Sequence, residues 1–137
     1  MHQWLILAMF AQVLLTLVVM VIMGRRRFAA ARNKQIKMQQ FATMDLDNAP
    51  ESVQVAGRNF INQFEIPVLF YVAVLTALIT QTTGYAFTAL AWGFVLLRLA
   101  HTVVHISSNH LKTRYYLFLF GCITVLAMWI MLVLRML

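Results

Sequence analysis

A stripe of polar residues lies at the entrance to an apolar run in the middle of the chain. Arg58, Asn62 and Glu65 are followed closely by Pro67. At about 100° per residue, the first three side chains project within roughly 60° of one another on a helix. An arginine, an amide and a carboxylate on one face can bind a polar ligand or a facing helix. Pro67 removes a backbone donor, so we expect a kink or an opening beside this stripe.

A second polar stripe lies on the next apolar run. It consists of Arg98, His101, His105, Asn109 and Lys112. If the helix extends that far, these side chains fall within about 80° of one another. The two runs are antiparallel, so we expect the two stripes to face each other across one half of a helix bundle.

The two stripes are predicted to meet at one depth in a membrane. Counted at about 1.5 Å per residue, Glu65 and Arg98 lie roughly 8 and 10 Å inside the same edge of the hydrocarbon. An unpaired carboxylate there costs a few kcal/mol, so we expect Glu65 to pair with Arg98. That pair alone could serve only to hold helices together. The excess of cations over one carboxylate, however, favours an anionic or amphipathic ligand.

Composition indicates which elements position these residues. The chain is 62% hydrophobic and 11% charged, whereas soluble domains average about 45–50% and 25%. Apolar runs of about 20 residues are long enough to cross a bilayer. We predict a single-domain, all-α membrane protein, an antiparallel bundle of four transmembrane helices at about residues 3–38, 50–81, 85–109 and 113–136.

The distribution of basic residues predicts the orientation. Basic residues crowd the first and third connections, whereas the middle connection, QTTGYA, has no charge. The positive-inside rule therefore makes both basic connections cytoplasmic and puts both termini on the non-cytoplasmic side. Membrane topology and anionic lipid account for the net charge of +7. We expect no nucleic-acid partner, because no basic and aromatic surface module is visible.

Metal binding is an alternative reading of the histidine pair. His101 and His105 are four residues apart and could ligate zinc or iron, but beyond Glu65 the sequence offers no obvious third ligand. We therefore expect no metal. Neighbouring amides or lipid headgroups are the simpler partners for both rings. Gln12 and Cys122 are interpreted as packing residues.

These motifs resemble those of the membrane-associated proteins in eicosanoid and glutathione metabolism, the MAPEG family, which includes the microsomal glutathione transferases and leukotriene C4 synthase. The most specific element is an arginine, three residues, an asparagine, two residues, a glutamate and then a proline. Arg58, Asn62, Glu65 and Pro67 match it. Arg98 matches a family arginine on the third helix. Length, four spans and the long first connection extend the resemblance over nearly the whole chain.

The resemblance implies a homotrimer that holds glutathione between subunits near the cytoplasmic side. It also implies a transferase or peroxidase reaction on lipophilic electrophiles, in which an arginine raises the thiolate fraction. The pattern looks like a bacterial branch of the family, which implies the bacterial inner membrane. The ligand-binding residues implied are Arg26, Arg58, Asn62, Glu65, Arg98, His101, His105 and Lys112, with Arg114 as an alternative to Lys112.

The chain also departs from the family pattern. His101 and His105 stand where characterised enzymes have tyrosines, and the spacing from Glu65 to Pro67 is one residue shorter than in leukotriene C4 synthase. Arg98, His101 and His105 are therefore only candidates for catalysis. A non-catalytic membrane scaffold or accessory subunit remains the alternative function.

Overall fold

The computed structural model describes residues 1–44 and 46–137. The described residues form α-helices and one short 3₁₀ helix. In chain order the α-helices are α1 (His2–Arg32), α2 (Met38–Thr43), α3 (Glu51–Ile61), α4 (Ile66–Ile79), α5 (Tyr85–Ile106) and α6 (Leu111–Met136). The 3₁₀ helix, Asn62–Phe64, lies between α3 and α4.

Four segments are long and apolar enough to cross a membrane. They are α1, the combined segment Glu51–Ile79, α5 and the segment Leu111–Arg135 of α6. This result confirms the prediction of an all-α membrane protein with four spanning helices. Helix α5 packs mainly against α6 and α1, while α4 packs against α6 and α3 against α1. The side of the membrane on which the termini lie stays a prediction.

The first span ends at Arg32 rather than near residue 38. Lys34 adopts a left-handed conformation with φ of 56°, and the amide of Gln35 donates to the carbonyl of Ala30. The chain then turns back, so that Ile36 packs with Ala30 and Val53 in a small separate core. Residues with high helix propensity therefore leave the helix here, and the burial of Ile36 offsets part of the lost helical bonding.

The second span is broken beside its polar stripe. Regular helix stops at Ile61, the 3₁₀ turn follows, and Glu65 separates that turn from α4. Pro67 lies in the first turn of α4, where its missing N–H costs no helical hydrogen bond. The single helix predicted over residues 50–81 is therefore two helices, and the opening expected near Pro67 occurs at Glu65.

An apolar core fills the half of the bundle remote from the basic connections. Phe70 of α4 stacks on Phe94 of α5 with ring centroids 4.6 Å apart. Small residues such as Ala73 and Ala91 are fully buried around them, which lets the helices approach closely. The large apolar side chains on the outer surface are exposed, as lipid-facing residues must be. The buried polar residues form a layer between this core and the basic end.

Candidate functional site

Arg98 contacts the break in the second span from the middle of α5. It is 1% exposed, and its Nη2 donates to the main-chain carbonyl of Asn62 at 2.8 Å. Asn62 begins the 3₁₀ turn, so its carbonyl is available where regular α-helical bonding ends. The expected partner, Glu65, is exposed instead. The two stripes thus meet, but through a guanidinium–carbonyl hydrogen bond rather than the expected ion pair.

His101 and His105 are both buried on the face of α5 that includes Arg98. Each is 2% exposed, and their rings meet edge to face with centroids 5.5 Å apart. The Nδ1 of His101 lies 3.1 Å from the carbonyl oxygen of Arg114 in α6. Of the buried nitrogens that have no partner among the described residues, four belong to this group: Arg98 Nε, His101 Nε2 and both ring nitrogens of His105. An unsatisfied buried polar group costs about 1–3 kcal/mol, so a bound polar group that reached these atoms would be favoured.

One cavity of about 400 Å³ lies beside these histidines. Its volume falls within the roughly 300–1,000 Å³ of small-molecule sites. Helix α6 and the end of α3 supply an apolar side. The lining residues are Arg58, Ile61, Asn62, Glu65, His101, His105, Leu111, Arg114, Tyr115 and Phe118. The structure therefore brings five of the eight sequence-predicted binding residues to one cavity, with Arg98 buried behind Asn62.

Arg26 and Lys112 lie apart from this cavity. Arg26 lines a second cavity of about 460 Å³, and donates to the carbonyls of Ser52 at 3.0 Å and of Ile106 at 2.9 Å. It thereby ties α1 to α3 and α5. Lys112 is exposed and does not line the first cavity. Arg114, the alternative in the sequence, does line it.

A buried amide network was missed by the sequence analysis. Gln12 in α1 donates to Gln63 at 3.1 Å, and Gln63 in turn donates to Asn59 at 3.2 Å and to Thr102 at 3.3 Å. All four residues are at most 2% exposed. Gln12 was interpreted as a packing residue, although an amide inside an apolar run already requires a buried partner. The network joins α1, the second span and α5 next to residues that line the cavity.

The chemistry of the first cavity suits an anionic guest with one amine. Arg58 and Arg114 can bind carboxylates through their planar guanidinium forks, and Glu65 can accept from an ammonium group. Ile61, Leu111 and Tyr115 are exposed and can contact an apolar molecule at the lipid side. Among residues 1–44 and 46–137 there is no cluster of three or more metal-ligating side chains.

Comparison with known proteins gives one family. The model of the MAPEG family matches residues 5–134, a range that covers both polar stripes and reaches all four spanning segments. Searches of curated proteins and of solved structures gave no match.

Proposed function

Because the chain belongs to the MAPEG family, we propose that this integral membrane protein binds glutathione or a similar anionic thiol in the cavity beside His101. Binding is the first step of a transferase or peroxidase reaction on lipophilic electrophiles. The basic end of the bundle, which contains this cavity, faces the cytoplasm in this proposal.

The observation that supports this proposal most strongly is the surplus of cationic and unpartnered groups around one cavity. Two guanidinium groups, those of Arg58 and Arg114, line the cavity with a single carboxylate, that of Glu65. The adjacent buried nitrogens of His101 and His105 have no partner among the described residues. Helix packing alone needs neither the surplus charge nor the empty volume.

The functional groups of glutathione match this lining. Its two carboxylates can pair with Arg58 and Arg114, and its ammonium group with Glu65. The sulfur can then lie toward the histidines, which occupy the buried side of the cavity. An electrophile dissolved in lipid reaches the same cavity along the apolar edge at Leu111 and Tyr115, so two reactants of opposite polarity can meet there.

The proposal includes a homotrimer with the ligand held between subunits, as the family implies. Ile61, on another part of the lining, is also exposed in one chain, and a neighbouring subunit could cover it while Leu111 and Tyr115 face lipid. Cross-linking in detergent, analysed by mass, tests the trimer. A chain that stays monomeric while it binds the thiol would remove the trimer from the proposal and leave the binding site.

Calorimetric titration of the detergent-purified protein with glutathione tests the binding site. Each charged hydrogen bond contributes about 1.5–3 kcal/mol, so Arg58→Ala or Arg114→Ala should weaken binding by about 10- to 150-fold. Lys112→Ala is the matched control, since it removes a neighbouring cation that does not line the cavity. Its affinity should equal that of the wild type.

Activity is measured next, with a lipophilic electrophile for conjugation and a lipid hydroperoxide for reduction. Variants that bind poorly should lose activity in both assays. If the folded wild-type protein binds no glutathione and the arginine variants differ only in assembly, the proposal fails. The chain is then better described as a membrane scaffold or accessory subunit.

A further inference from the structure

The hydrogen bonding of His101 fixes which ring nitrogen is free. Its Nδ1 lies 3.1 Å from the carbonyl oxygen of Arg114, and a carbonyl can only accept. Nδ1 therefore carries hydrogen, and in the neutral ring Nε2 is left as an acceptor with a free lone pair. A carbonyl acceptor at one ring nitrogen fixes the tautomer and orientation of an imidazole. Catalytic and metal-binding histidines are held in the same way.

The free Nε2 of His101 belongs to a residue that lines the cavity. The side chain is 2% exposed, and Nε2 has no partner in the described part of the chain. A guest that brings a donor to this buried acceptor would satisfy it. In the proposed complex the available donors are the thiol and the N–H groups of glutathione.

We propose that Nε2 of His101 takes the proton of the bound thiol. This inference rests on the proposed function, because it concerns the thiol bound in that cavity. The S–H bond breaks, its electron pair stays on sulfur, and the proton forms a new N–H bond at Nε2. The products are a thiolate and an imidazolium, so the net charge of the complex is unchanged. The thiolate is the nucleophile that attacks the electrophile.

The other titratable groups at the cavity are weaker candidates for this step. The cavity is also lined by Glu65, Arg58, Arg114, Tyr115 and His105. Glu65 and Tyr115 are exposed, and the guanidinium groups of Arg58 and Arg114 have donors but no acceptor. His105 is the strongest alternative proton acceptor, since both of its ring nitrogens lack a partner among the described residues. No hydrogen bond fixes its tautomer, however.

Counting the protons that the wild-type protein releases when it binds glutathione tests the inference. Glutathione binding is measured calorimetrically in buffers with different ionisation enthalpies, and thiolate is followed by its ultraviolet absorbance. The S-methyl derivative of glutathione, which has no thiol proton, provides the background. If His101 keeps the proton, thiolate forms with close to zero net release relative to this derivative. If cationic groups alone stabilise thiolate, about one proton per bound thiol appears in the buffer.

Two variants identify the acceptor. His101→Gln puts an amide near the position of Nε2, which can accept a hydrogen bond but cannot take a proton. We expect it either to lose the thiolate signal or to release about one proton per thiolate formed. His2→Gln is the matched control, since this histidine is exposed and does not line the cavity, and it should behave as the wild type does. His105→Gln tests the other buried histidine. Binding of the S-methyl derivative shows that each variant still folds and holds its ligand.

The outcomes separate this inference from the proposed function. Absence of glutathione binding by the wild type overturns both. Three results overturn only the role of His101. They are glutathione binding without thiolate in the wild type, thiolate formation with full proton release in the wild type, and an unchanged proton count in His101→Gln. Loss of the signal in His105→Gln alone assigns the proton to the other histidine and also overturns it. If His101→Gln does not fold, the wild type and His105→Gln decide together: near-zero proton release that persists in His105→Gln supports the role of His101, and release of about one proton in the wild type overturns it.

Discussion

Replacing Gln63 by leucine should destabilise the bundle. Gln63 is 1% exposed and connects two other spans, since it accepts from Gln12 in α1 and donates to Thr102 in α5. Hydrogen bonds between transmembrane helices average about 0.6 kcal/mol and reach about 1.7 kcal/mol. Loss of two such bonds therefore predicts a decrease in the free energy of unfolding of about 1–3 kcal/mol. Leucine is similar in size, so little of this loss comes from an empty cavity.

The pairwise part of this effect is measurable by a double-mutant cycle. Gln12→Leu, Gln63→Leu and the double variant are unfolded with SDS in mixed micelles, and tryptophan fluorescence reports the transition. The coupling energy should lie between about 0.6 and 1.7 kcal/mol, because the double variant leaves neither amide without its partner. Gln3→Leu is the control, since the same substitution is made at an exposed position.

Two results would refute the reasoning. Additive effects of Gln12→Leu and Gln63→Leu would show that the 3.1 Å hydrogen bond between them contributes nothing measurable. A more stable Gln63→Leu variant would show that desolvation of the amides exceeds the gain from their hydrogen bonds. In either case the network would not be what holds the broken segment of the second span against α1 and α5.

Two further substitutions test the elements around the cavity by the same unfolding assay. Arg26→Ala removes the hydrogen bonds to the carbonyls of Ser52 and Ile106 and should lower stability by about 1.5 kcal/mol or more. The exposed Arg25→Ala should have no effect, and equal losses in both variants would contradict the bridging role. Pro67→Ala should cost roughly 0.4–1 kcal/mol through the entropy of the unfolded chain. A gain in stability would show that Pro67 strains α4.

Much of the candidate site followed from spacing alone. Arg58, Asn62 and Glu65 were assigned to one helix face, and the structure places all three at the same cavity as His101 and His105. Helical periodicity decides which residues share a face, and depth counting decides which faces meet. The same count placed Arg98 level with Glu65, three residues beyond the Asn62 carbonyl that it contacts.

The pairing within the layer could not be read from the sequence. Spacing placed Arg98 level with Glu65 but could not show that the chain would leave the α-helical conformation there. Once it does, the carbonyl of Asn62 is free and accepts from Arg98, while Glu65 is exposed. The choice between Lys112 and Arg114 likewise depended on where α6 begins, since residues two apart point in different directions on a helix.

The sequence by itself determined that this is an all-α protein of four membrane-spanning segments. Each crossing of the hydrocarbon requires about 20 apolar residues, and every backbone N–H and C=O group in it must be hydrogen-bonded within the protein. The sequence also determined that the polar residues gather in one half of the bundle. Only the tertiary structure decided which of them bond to each other and which stay open toward a cavity. Hydrogen bonds are directional and act over about 3 Å, so a shift of a single turn, such as the break at Glu65, reassigns every partner in the layer.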